Sequence, residues 1–191
     1  MNTKKAEVIE KKANEARQKL KKPDKCDIDM EELVKAHAIH YFDKKLQSNI
    51  SGASMTTENG KQVIVVNESQ PPTRKKFTIA HELGHLLLKH DTALNTQDKG
   101  TIAQQGQHNT PSQILFRDDK TSEGSDWREV EANHFAASLL MPREILNKEI
   151  HKLIQKNSRK YLSEDDVRDL AEIFGVSAIS MSIRLSRLGF M

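Results

Sequence analysis

The sequence predicts an α+β fold, with a small twisted sheet in its first half and helices before and after it. Three observations point there. Apolar residues recur at three- and four-residue spacing through most of the chain. Runs of β-formers concentrate in residues 39–66. Strands and helices do not alternate, which argues against a parallel βαβ sheet.

The elements follow in order. Ala6, Ile9, Ala13, Ala16 and Leu20 set one face of a helix over residues 3–20, which Pro23 ends. Asp29 is placed to cap a second helix, MEELVKAHA. Strands are expected at Ile39–Phe42, Ser51–Thr56 and Lys61–Val66, with Glu58-Asn59-Gly60 as the hairpin turn between the last two. Pro71-Pro72 breaks the chain, and Thr73 opens a long helix through His90. Residues 92–125 are polar and rich in Gln, Asn, Thr, Asp and Gly, with one candidate strand at Ile114–Phe116. So long a segment inside a compact domain is expected to be a lid or a disordered insertion. Helices return at 126–140, 143–156, 163–174 (closed by Gly175) and 178–188.

Composition narrows the function. The 191 residues are 36% hydrophobic and 30% charged, as in ordinary soluble proteins. No apolar run is long enough to span a bilayer, so no membrane partner is expected. With no apolar signal core and a lone Cys26, a cytoplasmic protein is expected. One cysteine also excludes a thiolate-rich metal site. The net charge is +3, and residues 1–26 carry nine Lys/Arg against four Asp/Glu. That first helix reads as a solvated basic face or as an arm for a partner or nucleic acid.

The chemistry concentrates in His81-Glu82-Leu83-Gly84-His85. Two His four apart share one helix face and can reach one tetrahedral metal. Glu82 lies about 100° around from His81, beside the metal rather than in line with the ligands. A carboxylate there suits a base that takes a proton from water, the H-E-x-x-H pattern of zinc peptidases. Roughly one chain in forty of this composition would carry the pattern by chance, so context must decide. Apolar residues occupy every other face of this helix, so it is expected to be buried. Two His and a Glu in such a helix need partners, and a metal supplies them.

A catalytic zinc needs a third protein ligand and an open position. Asp91 is nearest, but Leu88 stands where short-spacer zincins have a turning glycine. His90 projects about 140° from His85 on a continued helix. The better candidate is Glu129, which borders the apolar stripe Ala132, Phe135, Ala136, Leu139 and Leu140. On the same projection Glu131 points about 100° from the stripe, and His134 farther. Asn133, one turn after Glu129, can accept a hydrogen bond from a ligand His.

The segments FTIAHELGHLLLKH (77–90) and EVEANHFAASLLMP (129–142) resemble the ImmA/IrrE family of zinc metallopeptidases. KQVIVVN and the tail DLAEIFGVSAISMSIRLSRLGF are also similar, so the resemblance covers roughly residues 30–191. It implies a zincin-like domain, one Zn²⁺ held by His81, His85 and Glu129, and Glu82 as the catalytic glutamate. It also implies a protein substrate, since several members are linked to cleavage of helix-turn-helix (Xre-like) repressors. Related gluzincins often carry Asp where this chain has Asn133. The domain reading is then a basic N-terminal helix (1–27), a peptidase domain (28–157) with the polar loop at 92–125, and a C-terminal helical pair (158–191). That pair has helix-turn-helix spacing and carries Lys160, Arg168, Arg184 and Arg187, so nucleic acid is a possible but less favoured partner. Tyr41, His40 and His134 are candidates for stabilising an oxyanion. The competing expectation is a regulator that binds protein or DNA and keeps zinc without peptidase activity.

Overall fold

The computed structural model describes residues 2–90, 127–157 and 161–191. Segment 92–125, the candidate strand at Ile114–Phe116, Asp91 and Lys160 lie outside the described residues.

Helix α1 (Thr3–Arg17) is capped by the Asn2 side chain, which accepts from Lys5 N. It stops before Leu20, although Leu20 is still buried. Asp29 caps α2 (Met30–Ala36) by accepting from Glu31 N and Glu32 N. Three strands follow: β1 (His40–Lys44), β2 (Gly52–Thr56) and β3 (Gln62–Asn67). The β2–β3 hairpin turns at Gly60, with φ +74°. The sheet is mixed, in the order β1-β3-β2. β2 pairs antiparallel with β3, whereas β1 pairs parallel, His40 opposite Val63. Asn67 locks the β1–β2 connection by donating Nδ2 to Gln47 O and Ile50 O, at 3.2 and 2.9 Å.

Helix α3 (Pro72–Leu88) starts with proline at its first position, where no amide donor is missed. It ends two residues short of His90 because Lys89 takes the left-handed conformation, φ 56°. The later helices are α4 (Trp127–Leu140), α5 (Arg143–Asn157), α6 (Glu164–Phe174) and α7 (Ala178–Leu188). Ser163 and Asp166 form a capping box on α6, and Gly175 ends it at φ 62°.

α3 lies between the sheet and α4, and α1 packs on α4. One cluster of buried side chains takes Ile9, Ala13 and Ala16 from α1, Leu83 from α3, Phe135 and Leu139 from α4, and Leu170, Phe174, Met181 and Leu185 from α6 and α7. The basic first helix is thus seated in the core by its apolar stripe.

Two buried arginines close the C-terminal end of α4. Arg17 donates to Leu139 O at 2.7 Å, to Pro23 O at 2.6 Å and to Lys25 O. Burial lowers its pKa to about 10, so it stays charged at neutral pH. Arg184 donates to Met141 O at 3.1 Å and pairs with Glu10 at 2.8 Å. A cation at a helix C-terminus meets its orphan carbonyls and its negative dipole end. The local basicity expected of the C-terminal helices is correspondingly smaller. Arg184 is 1% exposed, and Arg168 is spent on Asp165 at 3.0 Å and Glu164 at 3.7 Å.

Candidate metal centre

The site forms where α3 and α4 cross at close range. Gly84 makes the approach possible. A Cβ there would lie 3.1 Å from Phe135 Cδ1 and 3.3 Å from both Cα and O of Ala132, so the helices would have to part by a few tenths of an ångström. Crossing there puts the first turn of α4 beside the His81–His85 face. His81 Nε2 lies 3.2 Å from Glu129 Oε2. His85 Nε2 lies 3.6 Å from Glu129 Oε1 and 3.1 Å from His81 Nε2. Among the described residues, His81, His85 and Glu129 form a group able to hold a metal, with ligand atoms all within 4.8 Å of one another. His85 is fully buried, while His81 and Glu129 keep some exposure.

The far nitrogens of both rings are also engaged. His81 Nδ1 meets Asn133 Oδ1 at 3.0 Å. His85 Nδ1 meets His90 Nδ1 at 3.0 Å, and His90 Nε2 meets Glu131 Oε2 at 3.1 Å. Glu131 is paired in turn with Lys5 of α1. These partners assign the tautomers. Asn133 Oδ1 accepts, so His81 carries its proton on Nδ1. Glu131 accepts from His90 Nε2, so the Nδ1 of a neutral His90 is the acceptor and His85 donates from Nδ1. Both Nε2 lone pairs then face each other and the Glu129 carboxylate. Three converging acceptors repel unless a proton or a metal ion lies among them. Two ligands on a tetrahedral zinc at about 2.0–2.2 Å lie about 3.3 Å apart. The observed 3.1–3.6 Å spacings fit that ion. One carboxylate and two imidazoles are also a zinc donor set that leaves a fourth position.

Glu82 is 3% exposed, and Ser54 Oγ of β2 donates to its Oε2 at 2.6 Å. Gly52 lets β2 come this close, since a Cβ there would meet Thr78 Cγ2 at 2.6 Å. Spacing alone passes over Ser54. The available signal was a hydroxyl among Gly52, Ala53 and Met55, all buried, where a polar group must find a partner.

Three expectations from helical projection are corrected. His90 does not continue the helix, because left-handed Lys89 folds it back onto α3, with His90 N donating to His85 O at 3.0 Å. It is buried against the His85 ring, at 4.9 Å between centroids. Glu131 and His134 do not face solvent. Both are buried because α1 covers that flank of α4. His134 sits 3.9 Å from Glu10, and burial and Arg184 push its pKa down. Tyr41 donates its hydroxyl to Asp43 at 2.7 Å.

Among the described residues no helix is long and apolar enough to cross a membrane. The family model described as Peptidase_M78, IrrE N-terminal-like domain, matches residues 34–186. No curated protein matches the chain.

Proposed function

This chain belongs to the Peptidase_M78 (ImmA/IrrE) family, and we propose that it is a zinc metallopeptidase that cuts a specific protein partner. The family supports metallopeptidase activity in general. The finer reading rests on one observation: His81, His85 and Glu129 converge with their metal-binding atoms within 4.8 Å of one another, one residue from a buried carboxylate, Glu82. The substrate we infer is a helix-turn-helix (Xre-like) transcriptional repressor. Its support is the resemblance of residues 77–90 and 129–142 to peptidases linked to such cleavage. The lone Cys26 suits a reducing compartment, where such a partner is found.

His81 and His85, through Nε2, and Glu129, through its carboxylate, would hold the ion. When bound, zinc supplies Lewis acidity, which acidifies water and polarises a carbonyl. The chain's own groups do the rest. Glu82 takes a proton from water as the oxygen adds to the substrate carbonyl carbon, and returns it to the amine as the C–N bond breaks. Ser54, bonded to Oε2, holds that carboxylate in one rotamer while it shuttles the proton. Water adds across the peptide bond, and Glu82 ends as it began.

The test is zinc content together with repressor cleavage, wild type against Glu82→Gln. Loss of the base should lower cleavage by about 10²- to 10⁴-fold with zinc retained. Equal cleavage by the two proteins would refute the enzyme reading and leave a zinc-containing regulator.

A further inference from the structure

The two histidines of the metal centre have unequal support behind them. Behind His81 stands a neutral amide, Asn133, at 3.0 Å. Behind His85 stands a chain of three ionisable side chains: His90 at 3.0 Å, then Glu131 at 3.1 Å, then Lys5. Its inner members are buried, with His90 and Glu131 at 7% and 6% exposure. Trp127 packs its ring edge-on to His90, 5.4 Å between centroids, and Lys5 lies 4.5 Å over the same ring. Lys5 belongs to α1, which lies wholly outside the matched residues 34–186.

We propose that His90, Glu131 and Lys5 form a positioning relay for His85, so that α1 is an outer part of the metal centre. This rests on reading His81, His85 and Glu129 as ligands. Each link has one direction. Glu131 pairs with Lys5 and accepts from His90 Nε2. His90 then has only Nδ1 to offer, and it accepts from His85 Nδ1. His85 is left with one tautomer, its Nε2 lone pair turned to the site. A carboxylate acting through an imidazole makes the ligand a better electron donor, as a directly bonded carboxylate does at many zinc sites. An amide cannot do this, so His85 is the stronger of the two histidine ligands. A relay buried in a low-dielectric interior also holds its charge effect better than one in water.

The full chain tests this, loaded with zinc and titrated against a chromophoric chelator. Wild type is compared with Glu131→Gln and Lys5→Met. Imidazole ¹⁵N spectra report the tautomers, and urea midpoints of the metal-free proteins report the fold. Glu131→Gln should weaken zinc binding by about 10- to 100-fold, and Lys5→Met by less, with the metal-free midpoint little changed. In wild type the spectra should show His85 protonated at Nδ1 and His90 at Nε2. Zinc affinity unchanged in both variants would overturn the relay. So would weaker binding that merely follows a lower metal-free midpoint, or His90 protonated at Nδ1. If Glu131→Gln does not fold, Lys5→Met, altered only at a half-exposed side chain, and the wild-type spectra still decide. If wild-type protein takes up no zinc, the ligand reading itself has failed, which is a separate result.

Discussion

The two flanks of α4 make opposite uses of the same helix. On the flank toward α3, Glu129 and Asn133 offer oxygen atoms to His81 and His85, and Glu129, Asn133 and His81 stay partly exposed while His85 is buried. On the flank toward α1, Glu131 and His134 are buried among Lys5, Glu10 and the Ala6 backbone. Polar groups on one flank converge where a metal ion could sit; on the other they hold a neighbouring helix. The difference teaches that a polar residue in a buried helix is assigned by what packs against it, not by its angle from the apolar stripe.

Substitutions on the α3 flank should move zinc and leave the fold, whereas those on the α1 flank and the α4 terminus should do the reverse. Largest is Glu129→Ala. Losing one of the three proposed ligands should weaken zinc by more than the roughly 100-fold expected of an outer-shell change, with metal-free stability nearly unchanged; chelator competition and urea melts measure both. Next is Arg184→Met, which strands Met141 O and breaks the pair with Glu10. It should cost about 3–5 kcal/mol by urea denaturation, and zinc affinity of the still-folded fraction should not change. Gly84→Ala sits between the flanks. Its methyl would press the Ala132 backbone at 3.3 Å, so it should cost about 1–3 kcal/mol and also loosen zinc, by shifting Glu129 from the histidines. A Gly84→Ala protein with normal zinc affinity would break the link between helix spacing and site.

The smallest effect is a matter of pH. Burial lowers the His134 pKa below its ordinary 6.5, so the fold prefers the neutral ring. That preference stabilises the protein above about pH 6.5 and is lost as pH falls through the folded value. With chelator present throughout, to exclude metal loss, urea midpoints should fall from pH 7 to pH 5. His134→Leu should make that fall shallower. An identical slope would show that His134 titrates as it does in water.

Much of this was legible in sequence where the rule is local. Asp29, Gly175 and the Pro71-Pro72 break mark helix ends because caps and proline act within a few residues. His81 and His85 share a face by helical period, and Glu129 was reachable from the apolar stripe of its own helix. What escaped depends on partners distant in the chain. Nothing near β1 says that it will pair parallel with β3. Nothing near Glu131 says that α1 will cover it. The His90 projection failed for a local reason that is hard to read: Lys89, not glycine, takes the left-handed turn.

The arginine clasp at the end of α4 sets a timetable during synthesis. Arg17 is made 122 residues before Leu139, and Glu10 is made 174 residues before Arg184. At about 5–20 residues per second, Glu10 waits roughly 9–35 s for its partner. α4 reaches its final bonding only after α7 has arrived.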